Sequence, residues 1–228
     1  MGLKRNFRIR TSKLLVFMMC FSMLSGVAGN RIIVSAANNY EISNPRVEKN
    51  GKATWDKVTF GSYNQGVELL EAEPIKWRIL DIDASSDIAF LLADEALDCK
   101  PFNEKLTREI TKDDGETYPD YTCTWGTSTL RAWLNGIEDY ENDSTAFINT
   151  AFTAEERAAI ITTEVVNNEY YQAFASVNYT TSDQVFLLST AEATNTEYGF
   201  PAITNSNNTI DEESETRQVK ATDYARIY

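Results

Sequence analysis

Pro74-Ile75-Lys76-Trp77-Arg78-Ile79-Leu80-Asp81-Ile82 is the stretch from which the architecture reads outward. It alternates with a period of two: Ile75, Trp77 and Ile79, followed by Asp81, share one face, and Lys76, Arg78 and Leu80 share the other. Successive side chains in extended backbone point to opposite faces, so this is the pattern of a half-buried strand. Asp83-Ala84-Ser85-Ser86-Asp87 follows as turn chemistry, and Ile88 to Ala93 is a second apolar run. Two β-rich runs around a short polar loop pair most simply as an antiparallel hairpin.

Upstream, Lys57 to Gly61 predicts a short strand with Val58 and Phe60 on one face. Residues 37–54 hold Asn38-Asn39, Asn44-Pro45 and Asn50-Gly51 without periodicity, and read as a flexible leader with order beginning at Trp55. Downstream, Asp98 to Trp125 is irregular, with Pro101, Asp113-Asp114-Gly115 and Tyr118-Pro119. A loop of that length is either functional or loosely ordered. A helix is predicted from Ser128 to Asn135, capped by Thr127 or Ser128, with Leu130, Trp133 and Leu134 on one face. Thr153-Ala154-Glu155-Glu156 is a capping box opening a second short helix, which leads through Ile160-Ile161 into a β-rich Thr162 to Val166. Asp183 to Ser189 reads as a buried strand, after which Ser189 or Thr190 caps a short helix through Glu192. Asn205 to Glu215 reads as a polar surface loop, and Thr222 to Arg226 opens a last helical turn. Short strands, short helices and long loops, with no repeat and no βαβ alternation, give an α+β fold of antiparallel hairpins.

The amino terminus has its own logic. Lys4, Arg5, Arg8, Arg10 and Lys13 form a basic block, Leu14 to Gly29 is apolar and uncharged, and Val34-Ser35-Ala36 supplies small residues. This is the order of a cleavable secretory signal peptide over residues 1–36, with Ala28 as a second cleavage point. The apolar run is shorter than the roughly 20 residues a spanning helix needs, so contact with a membrane arises only if the segment stays uncleaved. Six of the 21 basic residues and none of the 34 acidic ones precede residue 37, so cleavage leaves 15 basic and 34 acidic groups, a net charge of −19. Nucleic acid is repelled by such a surface and is excluded as a partner.

The chain has no histidine. That removes Ser-His-Asp and Cys-His catalysis, histidine-ligated zinc and imidazole bases. Cys99 and Cys123 are the cysteines that follow the signal. They are too few for a Cys₄ zinc site, and outside the cell they either form a disulfide or stay as two buried thiols. Asp81-Ile82-Asp83 starts like a calcium loop, but Ser86 stands at the glycine position and Leu92 at the bidentate glutamate position. Asp113, Asp114 and Glu116 are candidate calcium ligands, as are Glu138, Asp139, Glu141 and Asp143, although neither cluster carries a preset loop geometry. No glycine-rich nucleotide loop is present, and no cofactor is expected. Trp125 and Arg131 are candidate ligand-binding residues, since aromatic faces stack on sugar rings; the competing role is core packing with Trp133 and pairing of Arg131 with a carboxylate.

Val58-Thr59-Phe60-Gly61-Ser62-Tyr63, Pro74 to Leu80, Phe90-Leu91-Leu92 with Leu97-Asp98, Phe102-Asn103, Trp125 to Asn135, Ala146-Phe147 through Phe152-Thr153 to Ile160, Asp183 to Ser189 with Glu192, and Ala221 to Ala225 come in an order and spacing that resemble the domain of unknown function 6273 family over about residues 55–228. The resemblance implies an exported or wall-linked protein of Gram-positive bacteria and a fold similar to C-type-lectin-like and sulfatase-modifying-factor-like domains. It brings no established activity. The sulfatase-modifying relatives use paired cysteines, but Cys99 and Cys123 match no such motif. Family members continue with a tryptophan-rich segment and a closing strand that this chain does not reach at Tyr228, so the domain at 55–228 is expected to be C-terminally incomplete. The expected function is a secreted or cell-surface binding module for a glycan or protein, without catalysis. A carboxylate-dependent glycosidase and a structural spacer of a larger surface protein are the alternatives.

Overall fold

The structure is a computed structural model that describes residues 43–67, 72–83, 85–104, 113, 115–116, 124–166, 180–202 and 216–227, and the backbone alone at 19–24, 108–111 and 117–120. In chain order the elements are β1 (Met19–Leu24), β2 (Arg46–Val47), β3 (Ala53–Thr54), β4 (Lys57–Tyr63), β5 (Glu73–Asp83), β6 (Ile88–Ala93), β7 (Arg108–Thr111), β8 (Thr117–Asp120), α1 (Thr129–Asn135), α2 (Phe147–Ala151), α3 (Ala154–Ala159), β9 (Ile160–Ile161), β10 (Thr163–Val166), β11 (Thr180–Asp183), β12 (Phe186–Leu187) and α4 (Asp223–Ile227). The fold is α+β.

The expected hairpin forms. β5 and β6 run antiparallel from Trp77↔Ala93 to Asp83↔Ile88, and β4 pairs with the other edge of β5. They belong to a six-stranded sheet ordered β12-β1-β6-β5-β4, with β9 also paired to β1. Ile75, Trp77 and Ile79 are fully buried, as their alternation predicts, but the period then breaks. A register shift between Ile79 and Asp81 marks a bulge. Leu80, assigned with Arg78 to the polar face, is completely buried, while Asp81 is half-buried. An extra residue in one strand re-aims its neighbours, and a strict period of two cannot show it.

The helices cover the sheet with aromatic rings. Phe60 and Trp77 lie 5.3 and 6.3 Å from Phe152, Tyr63 lies 5.1 Å from Phe147, and Phe147 lies 5.6 Å from Trp133. Trp77 Nε1 donates to Phe60 O at 2.7 Å, and Trp133 Nε1 donates to Thr145 O at 2.9 Å. Every buried side-chain polar atom among the described residues has a hydrogen-bond partner. The caps form as the sequence indicates: Ser128 Oγ accepts from Arg131 N, and Thr153 and Glu156 complete their reciprocal box. α2, which no sequence pattern announced, carries Phe147 into this cluster.

Three segments differ from expectation. Residues 43–54, expected to be patternless, form the β2–β3 hairpin, and Arg46 Nη2 pairs with Asp56 Oδ1 at 2.7 Å, so order starts upstream of Trp55. The long stretch after Asp98 contains the β7–β8 hairpin. Met19–Leu24, read as part of the apolar export run, lies inside the main sheet. An uncharged apolar hexapeptide suits either setting, and composition does not separate them.

Gly61 sits in β4 at φ +69°, between register points Thr59 and Ser62, where the ladder shifts. A Cβ there would stand 2.6 Å from the Phe152 ring and 2.7 Å from Ala151 O. Gly61→Ala therefore adds overlap to left-handed strain and is expected to destabilise by about 2–4 kcal/mol. Gly51→Ala, at φ +82° with nothing within 4 Å of its Cβ, isolates the backbone share, about 1–2 kcal/mol. Urea-unfolding midpoints of the two variants check this difference.

Asp94 provides a pH test. Burial raises its pKa, but hydrogen bonds and charge from Lys57 and Arg78 outweigh that and hold it below the ordinary 3.8. The salt bridges measure 2.7 and 2.8 Å. A depressed carboxyl contributes stability above its unfolded pKa and loses it as pH falls through the folded one. Asp94→Asn is expected to unfold at lower urea than the parent at pH 7, with the gap closing as pH drops below 3.8.

Candidate functional site

A cleft of about 250 Å³ opens at the Asp83 end of the β5–β6 hairpin, lined by Asp81, Asp83, Ile88, Phe90, Thr163, Phe186, Glu192 and Tyr198. β5 delivers the two aspartates, and β6 delivers Ile88 and Phe90, which share a face because they are two residues apart. Thr163 opens β10, Phe186 lies on β12, and Glu192 opens a 3₁₀ turn. The Phe90 and Phe186 rings stack at 6.0 Å and 17°, and Tyr198 meets Phe90 edge-on at 5.5 Å. Trp55 Nε1 donates to Tyr198 O at 2.9 Å, which ties the Tyr198 turn to the start of the domain.

Asp83 and Glu192 are fixed by their own turns. Asp83 Oδ1 accepts from Ser85 N and Ser85 Oγ at 2.9 and 2.6 Å, and Oδ2 accepts from Ser86 Oγ at 2.7 Å. The Ser85 hydroxyl first, and then that of Ser86, lower its pKa to about 2, so it is anionic at any ordinary pH. Glu192 Oε2 accepts from Ser189 N and Oγ, both at 2.7 Å, while Ser189 Oγ accepts from Glu192 N. Asp81 Oδ1 accepts from Ile82 N at 2.9 Å. An ionised carboxylate offers about four acceptor positions, so Asp81 and Glu192 keep capacity for a ligand. Oriented acceptors between aromatic rings receive hydroxyl or cationic N–H donors and repel anions. A second hollow, of about 420 Å³, is lined by Gly136, Glu141, Asn142, Ser144, Asn149 and Arg157. Its main donors are committed to backbone: Arg157 Nη1 to Phe152 O at 2.7 Å and Asn149 Nδ2 to Asp143 O at 2.8 Å.

Trp125 and Arg131 do come together, on a buried carboxylate. Trp125 Nε1 donates to Asp183 Oδ2 at 2.8 Å, Arg131 Nε donates to Oδ1 at 2.7 Å, and Thr181 Oγ1 donates to Oδ2 at 2.6 Å. Asp183 is 1 % exposed and Trp125 6 %. Their polar atoms face one another beneath the surface, and neither residue lines the cleft. Asn135, at the end of α1, fastens the next residues: its Oδ1 accepts from Gln184 N and Val185 N at 2.8 and 3.0 Å.

Asp113 and Glu116 are exposed near the β7–β8 turn, and Asp114 lies outside the described residues. Asp143 accepts from Thr145 N and Oγ1, and those bonds, the backbone one first, hold its carboxyl below the ordinary value. Among the described residues no group of three or more acidic, cysteine or histidine side chains converges as a metal site. Cys99 is half-buried with a free thiol, and Cys123 lies outside the described residues. Tyr63 Oη donates to Asp98 Oδ2 at 2.5 Å in the core, and burial, together with the Asp98 charge, pushes the phenol far above its usual range.

Sequence reasoning singled out Asp81 and Asp83 only as a failed calcium loop, and Glu192 only as part of a short capped helix and of the family resemblance. No linear signal joins them, because the cleft is assembled from four separate stretches. For the Asp183 cluster, Asp183→Asn keeps the shape and removes the charge facing Arg131. Breaking a buried pair on one side is expected to lower stability by about 3 kcal/mol or more, read as the shift in urea-unfolding free energy.

The sequence profile of a family described as Domain of unknown function (DUF6273) matches residues 91–227, from within β6 to the end of α4. The Val58 to Leu80 part of the resemblance lies upstream of that match. No curated protein and no solved structure matches the chain. The match takes in α1 to α3, the Asp183 cluster and the Phe186, Glu192 and Tyr198 side of the cleft, and on that span the chain belongs to the domain of unknown function 6273 family.

Proposed function

We propose that the protein is an exported, secreted or cell-surface binding module of a Gram-positive bacterium, without catalysis, and that the cleft at Asp81, Asp83, Glu192, Phe90 and Tyr198 takes one ring of an extracellular glycan. The observation that carries this is the pairing of turn-locked carboxylate acceptors with aromatic rings in one hollow. Acceptors already oriented by Ser85, Ser86 and Ser189 lose little freedom on meeting a hydroxyl donor. The volume, about 250 Å³, lies just below the usual range of small-molecule sites and suits a single ring with the rest of a chain outside. Export rests on the basic block, apolar run and Val34-Ser35-Ala36, and the surface setting is what the resemblance implies. A C-type-lectin-like arrangement belongs to the same reading.

A glycosidase needs one carboxyl raised to act as an acid beside one that stays ionised. In the cleft, the hydroxyls of Ser85 and Ser86 instead hold the Asp83 carboxyl low, the direction opposite to that of a general acid. The test is a glycan array followed by titration of the best hit. Asp81→Asn is expected to weaken it about tenfold, since a charge-assisted hydrogen bond contributes about 1.5 kcal/mol or more, and Tyr198→Ala weakens it by removing a ring of the cleft wall. A flat array sinks the glycan reading and leaves the spacer, and release of reducing ends with a bell-shaped pH profile replaces it with the hydrolase.

A further inference from the structure

β1 has partners on both sides. It runs antiparallel to β6 in unbroken register from Cys20↔Leu92 to Leu24↔Ile88. On its other side Met19 and Cys20 face Leu187 and Phe186, and Ser22 and Met23 face Ile161 and Ile160. Among the described strands, β9 and β12 have no other sheet neighbour. β1 is therefore the hydrogen-bonded link between the β4-β5-β6 hairpins and the strands that follow the helices. The same six residues lie inside the uncharged run of the signal peptide, and a cut after Ala36 takes them away.

What such a cut leaves is a gap one strand wide. Two strand spacings set its lips roughly 9–10 Å apart. β6 forms one lip and β9 with β12 the other, each with a row of N–H and C=O groups that β1 had satisfied. Leu91, Leu92, Ile160 and Phe186, all now buried, belong to those lips. Unpaired backbone beside apolar side chains is the template on which another strand docks. A gap with two lips bonds both edges of an incoming strand, twice what an ordinary sheet edge gives.

We infer that the position of β1 is a strand-acceptor slot, which the exported domain fills with an extended, uncharged apolar segment of another polypeptide running antiparallel to β6. β1 itself defines the chemistry: Met19-Cys20-Phe21-Ser22-Met23-Leu24 has no charge and no proline. A proline in the donor would remove an N–H and jam one lip. The net −19 left after cleavage disfavours acidic donors. The inference rests on the signal-peptide reading and is independent of what the cleft binds.

The experiment expresses the whole chain with its leader in a secreting bacterial host, measures the mass of the protein collected outside the cells, and titrates it with a labelled peptide of residues 17–26 flanked by lysines. A control peptide carries Ser22→Pro. The expected result is a mass starting after Ala36, one-to-one binding at least tenfold weaker for the proline peptide, and amide protection gained at Ile88–Ala93. A rise in melting midpoint of roughly 5–10 °C accompanies a hundredfold excess over the dissociation constant. Cleaved protein that binds both peptides alike, or neither, overturns the slot and leaves the signal peptide standing. A mass that still includes residues 19–24 overturns both, because the chain then fills the position itself.

Discussion

A buried carboxylate organises this molecule. Asp183 is closed off from water, and it accepts hydrogen bonds from an indole, a guanidinium and a hydroxyl that come from three places in the chain. A charge in such a position is tolerable only when its partners stay put. Trp125 is therefore held to the turn before α1, Arg131 to α1 itself, and β11 to both. The ring of Trp125 and the guanidinium of Arg131 are the residue types a sugar platform would use, yet here they satisfy an internal anion. The identity of a side chain says what it is able to bind, and burial decides what it does bind.

From that anchor the geometry of the cleft follows. With Asp183 locked, Asn135 grips the backbone of Gln184 and Val185 and turns the chain so that Phe186 faces Phe90. The Ser189–Glu192 box then forms within the next turn, and Trp55 holds the carbonyl of Tyr198. The opposite wall depends on the bulge at Leu80, which puts Asp81 at the surface where strict alternation would have buried it. The hollow is thus the meeting of a hairpin end and a loop, each stabilised by contacts that would exist without a ligand.

Local rules made much of the fold legible. The β5–β6 hairpin, the Ser128 cap, the Thr153–Glu156 box and the final turn at Thr222 follow from spacing and side-chain chemistry within a few residues, and they stand where those rules put them. What was illegible depends on partners distant in sequence. Leu80 changes face because of pairing with β6. Gly61 is required by the Phe152 ring, and the β7–β8 hairpin lies in a stretch rich in turn residues. Residues 19–24 satisfy the composition of an export signal and of an inner strand equally well. The cleft was invisible for the same reason, since Asp83 and Glu192 each announce only a local turn.

The closing contacts of the domain span great lengths of chain. Trp55 bonds Tyr198 across 143 residues, and Thr222 reaches Leu97 across 125. A parallel bridge joins Ala96 to Ala221, where Ala96 N donates to Lys220 O and Thr222 N donates to Ala96 O, both at 3.0 Å. Bringing such distant segments together carries a large loop-closure entropy, whereas the β4-β5-β6 hairpins and the capped helices close short loops. Assembly therefore has an order in time. The hairpins and helices close on short loops, whereas the clasp at Ala221 needs residues 220–222 in place. Until then the aromatic cluster is open along one side, and the interval before closure is when the chain is most exposed to proteases and to its neighbours.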